Sequence, residues 1–493
     1  MPHHNLFLFV ILFFGIIGSI IAQLPEALPD KAPQQAKIVL EQTHGPYLGF
    51  GIGIHPGDVI YETAFEELDL EFVRLEFGPL WYDLDELIPA DASLDELYSF
   101  IAANYNGDAY NRLEGAQYTY RFLNDRDIKI VLIHFELPYH WRRDKATGLI
   151  EPQYIDDLAR FYTAHLRFLR DNGVHIDYIE LANEPDGNWN GHLPPESYVS
   201  LLKQCDHLFE ANDLGHVQIL GPGLAFLNLY NRLPPYMDAL ALGAHVHLDG
   251  WSTHTWDEVE FPEARPEYTF GVWQPFLNGI KESDPLRRKP ILVTEYGSDV
   301  TRFGDRIYTS PRDQFTENLT DSWDYAIRVV ANSITHLNRG ANALILYRLS
   351  NAHWQKTGWG IIQPETPERY RKKPIYQAIY KLLSDLPLGA QILQPNWYTH
   401  DDPILLAVFH DEASQQLSLI AINWTDTDQS QTIQLPGAYR AVENRQLDAE
   451  GFITDEANIS LDDDQLTLNL PANSMCRIEL ETNQTKPSDS PDS

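Results

Sequence analysis

The sequence predicts a (β/α)8 barrel followed by a C-terminal antiparallel β-sandwich, and three observations carry that prediction. Eight short apolar runs alternate with helical stretches, as expected of parallel strands buried on both faces. Two of the runs, Ile179-Glu180-Leu181-Ala182-Asn183-Glu184 and Ile291-Leu292-Val293-Thr294-Glu295, end on a glutamate with proline or glycine close behind. Beyond Leu386-Pro387 the apolar period changes from helical to two.

The barrel strands are expected near Leu48–Ile54, Phe72–Phe77, Ile128–Phe135, Tyr178–Asn183, Val217–Gly221, Ala241–His247, Ile291–Glu295 and Ala343–Leu349. Between them, Tyr154–Asn172 carries Ile155, Leu158, Phe161, Tyr162, Leu166 and Leu169 at helical spacing and stops at Gly173. Pro195–Asn212 opens with a proline in its first turn, and Lys373-Pro374 opens the last helix. The barrel domain then spans 45–386 and the sandwich 388–480, with alternation at Leu466, Leu468, Leu470 and at Cys476, Ile478, Leu480. Residues 23–44 form a lead-in whose strand at Ile38–Leu40 is expected to join the sandwich, and 481–493 reads as a disordered polar tail.

A chain of 493 residues has room for a barrel and a smaller module. Its formal net charge of −35 speaks against nucleic acid or an anionic membrane as partner, and favours a neutral substrate. Residues 1–22 read as a signal peptide, apolar from Leu6 and cut near Ala22, which implies a secreted, extracellular or periplasmic protein. The start lacks Lys and Arg, so an uncleaved membrane anchor is the alternative. Cys205 and Cys476 both read as buried core thiols. Four sequons occur, at Asn318, Asn423, Asn458 and Asn483.

The chemistry follows from the two glutamates. Proline cannot donate to a sheet, so Asn183-Glu184-Pro185 ends a buried strand and leaves Glu184 at its C-terminal lip. Strands four and seven face each other across the mouth of an eight-stranded barrel, so Glu184 and Glu295 are placed to converge. Two carboxyl groups about 5–5.5 Å apart cleave a glycosidic bond with retention of configuration. Asn183 is positioned to bond a sugar hydroxyl. Arg74 reads as the cation that keeps Glu295 ionised, or as a plain barrel ion pair. His134 reads as a neighbour of the nucleophile or as a satisfied core histidine. Glu136 and Asp249 also lie near strand ends and Glu180 reads as structural.

Asn183-Glu184-Pro185 after a fourth strand and Glu295 after a seventh resemble the catalytic pair of clan A glycoside hydrolases. The Gly49-Phe50-Gly51 stretch and the ending Leu470-Pro471-Ala472-Asn473-Ser474 resemble family 30 of that clan, with families 5 and 39 as alternatives. The resemblance covers about residues 36–480. It implies Glu184 as acid/base, Glu295 as nucleophile, a carbohydrate substrate, and neither cofactor nor metal. Many clan members carry His-x-Tyr after the sixth strand, with the tyrosine on the nucleophile; here His245-Val246-His247 puts His247 at that place. The eighth strand often ends near a tryptophan, whereas this one reads Tyr347-Arg348.

Trp81, Trp141, Trp189, Trp251, Trp256, Trp354 and Trp359 all follow expected strand ends, where indoles stack on pyranose rings. Of these, Trp141, Trp189, Trp251, Trp354 and Trp359 are the expected substrate contacts. Two other functions fit the pattern less well. A metal-dependent hydrolase would use His134, His245 and His247 as ligands. A carbohydrate-binding protein without turnover would have little use for both glutamates.

Overall fold

The computed structural model describes residues 36–483 apart from 56–57, 78–87, 89–90, 105–111, 135–148, 188–191, 226–232, 258–266, 299–301, 304–305, 308–318, 352–357, 395–402, 449–452 and 455–457. The expected signal peptide, Asn318 and the tail beyond 483 lie outside it. None of the described helices is long and apolar enough to cross a membrane.

Eight parallel strands close a barrel: β1 (Gly49–Ile54), β2 (Phe72–Phe77), β3 (Lys129–His134), β4 (Tyr178–Glu180), β5 (Gln218–Ala225), β6 (Gly250–Asp257), β7 (Ile291–Ser298) and β8 (Ala343–Leu346). Neighbours pair in chain order and β8 closes on β1, with Ala343 opposite Gly49. Gly51 is needed here: a Cβ on it would sit 2.6 Å from Cβ of Phe72 on the next strand. Helices pack outside: α1 (Glu62–Leu68), α2 (Leu94–Asn104), α3 (Arg112–Asn124), α4 (Ile155–Asp171), α5 (Pro195–Ala211), α6 (Leu233–Ala241), α7 (Glu267–Ser283), α8 (Trp323–Asn338) and α9 (Pro374–Leu382).

The barrel interior is filled in layers. Phe72, Val131, Leu220, Leu292, Ala343 and Ile345 form an apolar plug at one level. Strand alternation then sends Arg74, Glu180 and Thr294 inward at the next level. A polar layer thus lies directly on the apolar one, towards the C-terminal ends of the strands.

One expected strand is misplaced. Ala241–His247 is not the sixth strand: α6 ends at Ala241, Gly243 turns the chain at φ +109°, and Ala244–His247 is a 3-10 turn. Leu242 and Val246, which made the stretch look apolar, stand 91% and 64% exposed. The true strand, β6, reads Gly-Trp-Ser-Thr-His-Thr-Trp-Asp and has a polar sequence because its neighbours are polar. His254 faces other charged groups inside the barrel, and the Thr255 hydroxyl meets His336 Nε2 of α8 at 2.8 Å outside it.

Two sheets form the sandwich. The larger runs in the order Thr43–Pro46, Gln391–Leu393, Ile404–Asp411, Gln416–Asn423, Ser474–Thr482, Tyr439–Leu447, Ile453–Thr454, and the smaller contains Ala36–Lys37, Gln429–Gln434, Gln465–Leu470 and Asn458–Asp462. Both strands of the lead-in therefore pair within the sandwich. Leu406, Val408, Leu419 and Ile478 fill the space between the sheets, while Leu405, Ala407, Phe409 and Ile422 belong to the core shared with the barrel. Two buried faces explain why Ile404–Phe409 is apolar without alternation. Asn338 of α8 donates to the Leu406 carbonyl (2.8 Å) and Trp323 to that of Asn473 (2.8 Å). Cys205 and Cys476 are separate, buried free thiols.

Asn423 is fully buried, and its Nδ2 donates to the carbonyls of Thr427 (2.9 Å), Leu470 (3.0 Å) and Pro471 (2.8 Å). A glycan on that nitrogen is incompatible with these bonds. Asn423→Ala strands several carbonyls without their donor, so stability is expected to fall by about 3 kcal/mol. The midpoint of urea unfolding tests this; an unchanged midpoint contradicts it.

Candidate active site

Arg74 of β2 is the hub. Its side chain is 1% exposed, and each guanidinium nitrogen serves a different partner: Nε to Glu180 Oε2 (3.4 Å), Nη1 to Glu295 Oε2 (2.7 Å), Nη2 to Asn183 Oδ1 (2.5 Å). Glu180 ends β4, Glu295 lies on β7, and Asn183 follows β4. Thr294 donates to the second Glu180 oxygen at 2.7 Å. Glu180, read from the sequence as structural, thus forms the floor of the cluster.

Glu184 follows in the β4 loop with φ +49°, a left-handed conformation that costs a residue with a Cβ about 1 kcal/mol or more. Its amide donates to the Gly223 carbonyl of β5 (3.1 Å), and its own carbonyl accepts from Gly187 (2.8 Å), which hold the strained turn. The side chain remains 12% exposed, the most open of the three carboxyl groups.

His254 of β6 joins the carboxylates. Its Nδ1 lies 3.1 Å from Glu184 Oε1 and 3.9 Å from Glu295 Oε2, and its Nε2 lies 3.8 Å from Glu180 Oε2. Burial pushes its pKa down, but Glu295, Glu180 and Glu184 outweigh that and raise it to about 10. Burial likewise pushes Glu180 up, and the opposing His254 and Arg74 charges bring it down to about 2. An imidazolium has no lone pair to offer. The ligand atoms of Glu184, His254 and Glu295 lie within 4.8 Å of one another, and His254 can ligate a cation only after giving up its proton.

An aromatic wall completes the site. Trp256, two residues past His254, donates Nε1–H to Glu295 Oε1 at 3.2 Å. Trp359 packs edge-on to Trp256 with centroids 4.6 Å apart, and Tyr347 at the end of β8 lies 5.6 Å from Trp256. The His-x-aromatic spacing sought near residue 245 thus occurs as His254-Thr255-Trp256, with an indole where a tyrosine was expected. A polar strand sequence hid it, though the spacing itself was legible. Arg348, beside Tyr347, turns away to a buried pair with Asp58 (2.5 Å).

Of the other expected contacts, His134, His247 and Trp251 are not brought to the site. Val131 lies inside the barrel, so alternation sends His134 outward, where it stacks on Tyr162 (4.5 Å) and meets His165 (3.3 Å) of α4. His247 sits in the turn before β6, at the opposite end of the strand, with Nδ1 2.7 Å from Asp206 of α5. Trp251 is fully buried against Phe276 of α7. His134, His245 and His247 therefore form no ligand set. Asp249 accepts from the Ile219 amide (2.8 Å), also at that end. Trp81, Glu136, Trp141, Trp189 and Trp354 lie outside the described residues.

The sequence matches no protein-family model and no curated protein. Solved structures nevertheless share the whole architecture. A glycoside hydrolase family 30 subfamily 8 xylanase from Clostridium acetobutylicum matches with TM-score 0.62 and 13% identity, over 91% of this chain and 100% of its own. An endo-β1,6-glucanase matches with TM-score 0.59 and 15% identity, over 92% and 96%. A family 51 arabinofuranosidase from Xanthomonas axonopodis pv. citri matches with TM-score 0.61 and 14% identity, over 91% and 99%. The chain thus has the barrel-and-sandwich fold of glycoside hydrolase families 30 and 51.

The cluster sets a pH window for stability. His254, raised from 6.5 to about 10, contributes fully below pH 6.5 and loses its contribution as pH rises through about 10. Glu180, lowered from 4.5 to about 2, contributes above pH 4.5 and loses it as pH falls through about 2. The contribution of the pair is therefore fullest between pH 4.5 and 6.5. In calorimetric scans His254→Gln should flatten the alkaline decline in Tm; an unaltered slope contradicts the charge assignment.

Proposed function

We propose that this protein is a retaining O-glycosidase, with Glu295 as nucleophile and Glu184 as acid and then base. The observation that carries the reading is the spacing: a carboxylate oxygen of Glu184 and one of Glu295 lie within 4.8 Å. Retention uses carboxyl groups about 5–5.5 Å apart, whereas inversion needs about 6.5–9.5 Å to admit a water between them. A xylanase, an endo-β1,6-glucanase and an arabinofuranosidase share the fold, which supports the class and makes xylan and β-glucan the first substrates to test.

The surroundings suit the two roles. Arg74 and the Trp256 N–H each bond a different oxygen of Glu295, which fixes its direction. Glu184 is the most solvent-open of the three carboxyl groups, which suits it to exchange a proton with substrate and water. Glu295 attacks the anomeric carbon while Glu184 passes its proton to the departing oxygen. Glu184, now ionised beside the His254 imidazolium, then takes a proton from the water that releases the sugar. Asn183, its oxygen held by Arg74, stands one residue before the acid, where its amide is proposed to bond a sugar hydroxyl. The neutral substrate suggested by the net charge of −35 belongs to the same proposal, as does secretion.

Two measurements test it. NMR of the first-formed product from xylan, β-glucan, mannan or galactan should show retained anomeric configuration; an inverted product removes the assigned roles. Glu184→Ala should lose about 10²–10⁴-fold on a natural glycan, whose leaving alcohol needs a proton, and much less on an aryl glycoside with an acidic phenol. Azide should restart that variant and give a glycosyl azide of retained configuration. Glu295→Ala should fail on all substrates alike. Retained-configuration rescue of Glu295→Ala instead would reverse the two assignments.

A further inference from the structure

Lys373 takes no part in the chemistry above, yet it is fully buried. It stands directly before α9, and its Nζ donates to Thr320 Oγ1 (2.5 Å), the Gly358 carbonyl (3.1 Å) and Asn351 Oδ1 (3.2 Å). Three acceptors match the three protons of an ammonium group. Burying such a group is costly unless every proton is used. The charged residues acting on it are Asp321 and Arg371, themselves paired at 2.6 Å.

Two of the three acceptors belong to the segment that follows β8 and carries Trp359. Asn351 Oδ1 also accepts the Gly360 amide (2.9 Å), and its Nδ2 bonds Gln363. Gly360 permits this contact: a Cβ there would lie 2.2 Å from the Asn351 amide nitrogen. Trp359 is therefore fixed on both sides, by the Gly358 carbonyl on Lys373 and by the Gly360 amide on Asn351. Its ring bears on Trp256, and the Trp256 indole N–H bears on Glu295.

We propose that Lys373 is a positioning residue: it fixes Trp359 against Trp256, and so the indole that orients Glu295. The catalytic half of this inference rests on Glu295 being the nucleophile; the anchoring half does not. Burial lowers the pKa of Lys373 from 10.5 to about 8, with Asp321 raising it and Arg371 lowering it further. A neutral amine has only two protons for three acceptors. Raising the pH through about 8 should therefore loosen the Gly358–Ile362 segment.

The experiment has two arms. The first is amide exchange of the wild-type protein between pH 7 and 9.5, corrected for intrinsic rates. Protection at Gly358–Ile362 should fall near pH 8 while β3 and β4 stay protected; unchanged protection overturns the anchoring. This arm needs no variant, so it decides the matter even where Lys373→Met does not fold. The second arm uses Lys373→Met, Trp359→Phe and the double variant, on whichever aryl glycoside the wild type cleaves fastest. Lys373→Met should lower kcat about 10–100-fold with little change in KM, and lose the alkaline limb near pH 8. In the Trp359→Phe background the same change should cost little further. Fully additive losses overturn the coupling through Trp359. If exchange responds as expected and no glycoside is cleaved, the anchoring stands and the glycosidase reading falls.

Discussion

The guanidinium of Arg74 is the constraint on which the rest of the site depends. A charge so completely enclosed in a barrel is tolerable only when every face of it meets a partner. Here the partners come from β4, the β4 loop and β7, so satisfying one side chain fixes three segments at once. A lysine would place a single point charge where three directed donors are used. The same requirement explains why Glu180, deep in the barrel, remains charged, and why Thr294 donates to its second oxygen.

That polar layer has to stand on something rigid. The apolar plug of Phe72, Val131, Leu220, Leu292, Ala343 and Ile345 excludes water from below. Close-packed interiors of this kind hold the charged layer without room for rearrangement. Outside the barrel, His336 extends the network. Trp273 can only donate, so His336 Nδ1 accepts from it (3.2 Å) and Nε2 carries the proton toward Thr255. The strand carrying His254 and Trp256 is thereby held from both faces. The sandwich reinforces α8, the helix that bears His336, through Asn338 and Trp323.

The fold was legible in the sequence wherever burial is apolar. Seven barrel strands fall where apolar runs place them, because their residues face either the plug or the helix layer. The two glutamates were legible for a different reason: each interrupts such a run at a strand end. β6 was missed because the apolar rule has no purchase on it. Its inward face meets carboxylates and its outward face meets a histidine, whereas the nearby Leu242 and Val246 imitate a strand while standing in solvent. His134 admits both readings in the sequence, since its inward or outward direction depends on a parity that only the position of Val131 fixes. The sandwich boundary was clear from the change of period, but the pairing of Thr43–Pro46 with Gln391–Leu393 joins segments too far apart in the chain for any local pattern to reveal.

These failures of local pattern coincide with the site itself. A strand of hydroxyl and imidazole groups, a non-glycine residue at φ +49° and an ammonium sealed inside the protein each cost stability when taken alone. Each is compensated by partners that include distant segments: Gly223 for Glu184, three carboxylates for His254, Thr320 and the β8 loop for Lys373. Locally unfavourable residues retained at such a cost, and gathered around one pair of carboxylates, are what a function imposed on the fold would leave behind. The barrel would pack as well with apolar residues at many of these positions. It would then lack the arrangement in which one carboxylate is directed by Arg74 and Trp256, while the other, more open to solvent, stands beside His254.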